Sequence, residues 1–150
     1  MFKNLTLVFL AALTLSAADD YVGTWKVNLA KSKYSPGPAP RSVILTYSRD
    51  GEWSVVKVET IDSEGKPTTA TNRFKRDGNE YPLTGPDGNS GTISVKMINE
   101  RTLETTLKVG TAITNLHQVM ASDGKSFTRT TTGTNAKGQK VKNVIVFEKQ

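Results

Sequence analysis

Tyr21-Val22-Gly23-Thr24-Trp25-Lys26-Val27 is the stretch from which the rest of the chain can be read. Aromatic and β-branched residues dominate it, as they do in strands. Trp25 requires a large buried surface, so the stretch must face a core. Gly23 has no side chain and lets another backbone or a ring come close. Before this stretch lies an apolar leader. After it come runs that read as strands wrapping back onto Trp25.

The leader has the order of an export signal. Lys3 gives a positive start, and Leu5 to Leu15 forms an apolar stretch too short to span a bilayer comfortably. Ser16-Ala17-Ala18 supplies the small residues of a cleavage site, with Asp19 first in the mature chain. An uncleaved anchor or a buried first helix is the alternative. The expected organisation is a signal peptide over 1–18 and a single β-barrel domain over 19–150. Removing 18 of the 150 residues leaves 132, enough to bury a real core. So short a signal suggests a bacterial protein sent to the periplasm or the medium, with no membrane span once the signal is gone.

Composition narrows the chemistry. The chain has no cysteine, so disulfides, thiolate metal sites and a cysteine nucleophile are excluded. The formal net charge is +6, or +5 without Lys3. The cations are scattered, with Lys31-Ser32-Lys33 and Lys137 to Lys142 the nearest to clusters. No aromatic platform interleaves them, so no nucleic-acid partner is expected.

Taken in order, the mature chain alternates strands with turns. Asn28-Leu29-Ala30-Lys31-Ser32 has the make-up of one helical turn capped by Asn28. Pro36, Pro38 and Pro40 then favour an extended surface loop, with recognition by a proline-binding domain as the other reading. Strands are expected over Ser42 to Ser48, Trp53 to Ile61 and Thr68 to Arg76, with Arg49-Asp50-Gly51-Glu52 and Ser63-Glu64-Gly65-Lys66-Pro67 turning between them. Asp77-Gly78, Asp87-Gly88 and Asp123-Gly124 are further turn signals. Ile93, Val95 and Met97 alternate with polar residues, as do Leu103, Thr105, Leu107 and Val109. This is burial of one face at period two. The last pair runs from Lys125 to Gly133 and from Gln139 to Glu148. Short connections make neighbours antiparallel. The expected fold is all-β, an antiparallel up-and-down β-barrel of about 8–10 strands, because closure removes edge strands.

Three segments carry a resemblance. Tyr21-Val22-Gly23-Thr24-Trp25-Lys26 resembles the first strand of fatty-acid-binding proteins and, more loosely, the G-x-W of lipocalins. The run from Leu116 to Lys125 resembles their late hairpin with its Asp-Gly-Lys turn. Val146-Phe147-Glu148-Lys149 resembles their closing strand. The three lie in the expected order across the mature chain. The resemblance implies a calycin-type barrel that encloses an apolar small molecule. It has departures. The interval from Asn28 to Pro40 is too short for the two-helix lid of fatty-acid-binding proteins, and no helix follows the barrel as in lipocalins. Ile145 and Phe147 stand where the family's Arg-x-Tyr carboxylate clamp would be.

The candidate ligand face combines Phe127, Arg129 and Thr131 with Asn143, Ile145 and Phe147, and Val141 shares the latter's side of the closing strand. An inward Arg129 needs an anion or several acceptors, since an unpaired buried charge is costly. Otherwise its head sits in water or pairs with Glu59, Glu104 or Asp62. His117 is the single histidine. The hairpin register implied by the resemblance turns it outward and puts Leu116, Gln118 and Met120 inside. No cofactor, metal or catalytic set is expected, because one histidine without cysteine makes no zinc cluster and no nucleophile elbow is present. The expectation is therefore a monomeric, exported non-enzyme that carries a neutral or weakly anionic lipophile. The alternative is a secreted or envelope protein-interaction or inhibitor module with a solid barrel core. The interior separates the two, because a ligand site needs a cavity.

Overall fold

The computed structural model describes residues 19–85 and 88–150. The expected signal segment, and Asp87 of the Asp87-Gly88 turn, lie outside the described residues. Ten strands follow one another: β1 (Gly23–Lys33), β2 (Ser42–Asp50), β3 (Trp53–Ile61), β4 (Pro67–Phe74), β5 (Asp77–Thr84), β6 (Ser90–Asn99), β7 (Thr102–Val109), β8 (Ala112–Met120), β9 (Ser126–Thr134) and β10 (Lys140–Lys149). They form one antiparallel sheet in the order β4-β3-β2-β1-β10-β9-β8-β7-β6-β5. Every sequential pair except β4–β5 shares a ladder, and β1 pairs with β10 to bring the first and last strands together. The result is a nearly closed up-and-down barrel, as the short connections require.

β1 shows why the first stretch organises the fold. It pairs with β2 from Gly23↔Tyr47 to Lys26↔Ile44, and with β10 from Trp25↔Lys149 to Asn28↔Val146. Gly23 has φ +134, and a Cβ there would lie 3.2 Å from Lys149 Cε. The close neighbour that Gly23 admits is thus a lysine stem, whose Nζ sits 5.4 Å from the Trp25 ring centre. Trp25 is fully buried, and its Nε1–H donates to the Tyr21 carbonyl at 2.9 Å. That bond satisfies the one polar group of the indole.

The expected helical turn after Val27 is instead a bulge. Asn28 pairs with Val146, yet Lys33 already pairs with Val144, so several residues of β1 bulge out opposite few of β10. The Asn28 cap survives: its Oδ1 accepts from the Lys31 N–H at 3.1 Å. A single turn fixes many dihedrals for few bonds, so helix does not propagate in so short a segment. Ser32 stabilises the bulge by donating to the Asn28 carbonyl at 2.6 Å and accepting from Val146 N–H at 3.0 Å.

Two other expectations shift. Asp77-Gly78 does not form the turn but opens β5, where pairing with β6 slips between Asp77 and Glu80. Met97 is 40 % exposed while Ile93 and Val95 are buried, because the β6–β7 register slips between Met97 and Asn99.

One end of the barrel is closed by the segment before β1. The Tyr21 hydroxyl donates to the Arg101 carbonyl at 2.8 Å in the β6–β7 connection. The Asp19 carboxylate accepts from Arg76 at 3.2 Å and lies 3.6 Å from Arg49. Inside, Trp25, Tyr21, Phe127 and Phe147 form an aromatic cluster. Phe127 meets Trp25 edge-on at 4.9 Å and stacks on Phe147 at 4.9 Å. Such pairs are worth about 0.5–1.5 kcal/mol beyond their burial.

Candidate functional site: a half-filled barrel with a cation on its wall

The barrel is not packed solid. A cavity of about 260 Å³ occupies the side enclosed by β2 to β8. Its wall is mainly aliphatic, with Val56, Val58, Ala70, Val95, Leu103 and Leu107 among its residues. These come from strands whose inward positions alternate with outward polar ones, and none is large enough to reach across the barrel. The polar lining is sparse: Tyr47, Asn72, Thr84, Thr105, Gln118 and Arg129.

Asn72 marks the seam between β4 and β5. Its Oδ1 accepts from the Thr84 N–H at 2.9 Å, and its Nδ2 donates to the Thr84 carbonyl at 3.3 Å. A side-chain amide thereby replaces a rung of the missing ladder. The neighbouring backbone explains why the rung is needed. Residues two apart in a strand present their backbone groups to the same edge, so Pro82 faces the seam beside Thr84 with no N–H to donate.

Arg129 is the only cation among the described residues of the wall. Its Nε and Nη2 donate to Gln118 Oε1 at 3.0 and 2.8 Å, and Nη2 also donates to the Tyr47 hydroxyl at 3.1 Å. The guanidinium lies 5.0 Å from the Phe147 ring centre and 5.7 Å from that of Phe127, within cation–π range. No carboxylate lies within 4.0 Å of it among the described residues. The alternative partners Glu59, Glu104 and Asp62 are engaged elsewhere. Glu59 pairs with Lys57, Glu104 with His117, and Asp62 accepts from the backbone of Glu64 and Lys66.

Gln118 is 3 % exposed. Its Oε1 is committed to Arg129, which fixes the amide's orientation, and its Nε2 is buried without a partner. The Tyr34 hydroxyl, from the segment after β1, is also buried without one. Burial pushes the Tyr34 phenol above its ordinary value, and the Arg129 charge opposes that shift.

The six residues expected to form the ligand face all lie on β9 and β10, but they divide. Arg129 lines the cavity. Phe127 and Phe147 point inward and are buried in the aromatic cluster, where they are covered by each other, by Trp25 and by the Arg129 guanidinium. Thr131 and Ile145 are buried outside the cavity wall. Asn143 is half-buried and accepts from the Ser35 N–H at 2.9 Å, which ties the proline loop to β10. His117 faces outward and meets Glu104, while Leu116 and Gln118 line the cavity and Met120 is buried beyond them. Tyr47 and Asn72 were not singled out by the sequence. Tyr47 shares a strand face with Leu45, and Asn72 is an amide on the inward face of its strand.

No protein-family model matches the sequence, and no curated protein matches it. Solved structures do match in shape. A Schistosoma mansoni fatty acid binding protein in complex with arachidonic acid has a TM-score of 0.64 at 15 % identity, over 87 % of this chain and 96 % of that one. Lipid binding protein 8 of Caenorhabditis elegans gives 0.61 at 13 %, with coverage of 87 % and 96 %. The zebrafish ileal bile acid-binding protein complexed with cholic acid gives 0.58 at 16 %, with coverage of 87 % and 99 %. The chain therefore has the ten-stranded antiparallel fold of these proteins, a calycin-type barrel.

Proposed function

We propose that this protein is a carrier that holds a small lipophilic molecule in its barrel, and not an enzyme. The observation that carries this reading is the cavity of about 260 Å³ with a largely aliphatic wall. A well-packed interior leaves few voids larger than a water molecule, so an apolar cavity of this size offers an occupant dispersion contacts that its wall otherwise lacks. Its volume stands just below the usual range for ligand pockets. The fold neighbours are named for binding fatty acids, lipids and bile acids, which agrees with this use of the barrel. Arg129 is the ligand contact among the residues of β9. The solid core of an interaction module is not what the interior contains.

Native mass spectrometry of protein purified from its source tests the reading. A retained small molecule of matching volume is the expected result. A protein that arrives empty and takes up no lipophilic probe would refute it.

The carrier works outside the cytoplasm. The order of Lys3, the apolar Leu5 to Leu15 run and Ser16-Ala17-Ala18 supports export with cleavage before Asp19. N-terminal sequencing of the exported protein checks this. A secreted chain beginning at Met1 would overturn it.

A further inference from the structure

A second buried cation lies away from the cavity wall. The Arg76 side chain is 7 % exposed, and Arg76 belongs to the two-residue connection, Lys75-Arg76, that carries the chain from β4 to β5. Among the described residues, Asp19 is the one carboxylate within 4.0 Å of it. Arg76 Nη1 donates to Asp19 Oδ1 at 3.2 Å, and Nη2 stands 3.1 Å from Oδ2. The guanidinium also lies 5.7 Å from the Tyr21 ring centre. Taking the partner from a buried charge is strongly destabilising, because the charge is then left out of water uncompensated.

Asp19 is engaged at each of its oxygens. Oδ1 also accepts from the Tyr21 N–H at 3.1 Å, Oδ2 lies 3.6 Å from Arg49 Nε, and the carbonyl accepts from the Val22 N–H at 3.0 Å. Arg49 is fixed in turn, since its Nη1 donates to Ser54 Oγ at 2.8 Å. One residue therefore draws together the approach to β1, the end of β2 and the β4–β5 connection. What it fastens is the weak place of the sheet. β4 and β5 share no ladder, and Asn72 supplies a rung to Thr84 further along. Asn72 and Thr84 both line the cavity, so this seam is also part of the cavity wall.

The expected cleavage makes Asp19 the first residue of the mature chain. Cleavage one residue later would delete it. We propose that processing delivers Asp19 as a latch: its carboxylate fills a socket made by Arg76, Arg49 and the Tyr21 N–H, and the β4–β5 seam is firm only while that socket is filled. This rests on the export reading and adds a structural role to the residue that processing leaves in front. Chain termini are where trimming concentrates, so loss of this single residue is a means of loosening the cavity wall. Without Asp19, the socket takes a small free carboxylate in its place.

The test is hydrogen exchange followed by NMR on the protein of residues 19–150. The parent is compared with Asp19→Asn and Asp19→Gly, each in sodium formate and in an equal concentration of sodium chloride. In chloride, the amides from Lys75 to Thr84 should exchange about 10- to 100-fold faster in both variants, the ratio given by one hydrogen bond to a charged group. The β9–β10 ladder should keep its protection. Formate should restore the seam in Asp19→Gly, by binding the folded state, and leave the parent unchanged. Asp19→Asn keeps the size of the side chain and serves if Asp19→Gly fails to fold. Seam exchange equal to the parent's in the variants, or equal acceleration of every amide, would overturn the latch. Restoration by chloride as fully as by formate would overturn the carboxylate socket. An exported chain that begins elsewhere than Asp19 would overturn the delivery by processing, while the exchange results on residues 19–150 would still decide the latch.

Discussion

Asn72→Leu isolates the seam between β4 and β5. Leucine has nearly the shape of asparagine but neither donates nor accepts. The change deletes two hydrogen bonds to Thr84, at 2.9 and 3.3 Å, and leaves the Thr84 N–H and C=O facing a strand edge without a rung. Each bond is worth about 0.5–1.5 kcal/mol net. Asn72 is 8 % exposed and borders an apolar cavity, so the leucine gains some burial that offsets the loss. Two such bonds sum to about 1–3 kcal/mol, and the offset leaves an expected cost of about 1–2 kcal/mol of global stability, the lower half of that range. The local effect is the sharper one. Thr84 should lose amide protection in hydrogen exchange while the continuous β9–β10 ladder, nine residue pairs from Lys140↔Thr134 to Glu148↔Ser126, keeps its own. Exchange measured by NMR at one pH on both proteins decides the matter. An unchanged Thr84 amide would show that something other than Asn72 holds this edge. Uniform acceleration of all amides would show a global loss and no distinct seam.

Three further perturbations probe the packed half and the closed end. Trp25→Ala should cost about 3–5 kcal/mol, read as a fall in the urea midpoint at unchanged slope; a midpoint that hardly moves would take Trp25 out of the core. Burial pushes the Tyr21 phenol up to about 12 from 10.0, so the folded state keeps a proton that the unfolded chain gives up. Stability is therefore complete below pH 10, declines as pH rises toward 12, and should decline less in Tyr21→Phe; parallel alkaline melting curves for the two proteins would refute the linkage. Gly133 has φ +133, and a Cβ there would stand 2.0 Å from the Ile113 carbonyl oxygen. Gly133→Ala should cost at least about 2 kcal/mol through strain and local loss of the β8–β9 ladder, and a melting temperature equal to the parent's would contradict that geometry.

The strands were legible because their signals are local. Asp-Gly and Gly-rich turns separate short β-branched runs, and the alternation in β6 and β7 assigns one face to the core. The chain order then follows from short connections. What the sequence did not show depends on distances across the barrel. Phe127 and Phe147 were correctly turned inward by their period, but nothing local says that they would stack on each other and leave the open space on the opposite wall. The bulge after Asn28 has the same composition as a helical turn, and only the pairing of Lys33 with Val144 distinguishes them. Tyr47 and Asn72 each sit within an ordinary strand pattern. Their importance comes from partners 82 and 12 residues away, Arg129 and Thr84.

The split between a packed and a hollow half is what makes a charge inside this barrel tolerable. Aromatic side chains from β1, β9 and β10 fill the interior on their side, whereas β3 to β7 contribute mostly Val, Ala and Leu, which stop short of the axis. Arg129 stands on the boundary between the two. One side of its guanidinium has the ring faces of Phe147 and Phe127, and the other has the neutral acceptors of Gln118 and Tyr47. Placed wholly within the aromatic half, the cation would be buried without acceptors at a cost of many kcal/mol. At the barrel mouth it would be screened by water and would discriminate poorly between ligands. The boundary is the position where the charge is held in one geometry yet keeps donors free toward the cavity. The aromatic cluster is thus also the support against which the Arg129 guanidinium is oriented.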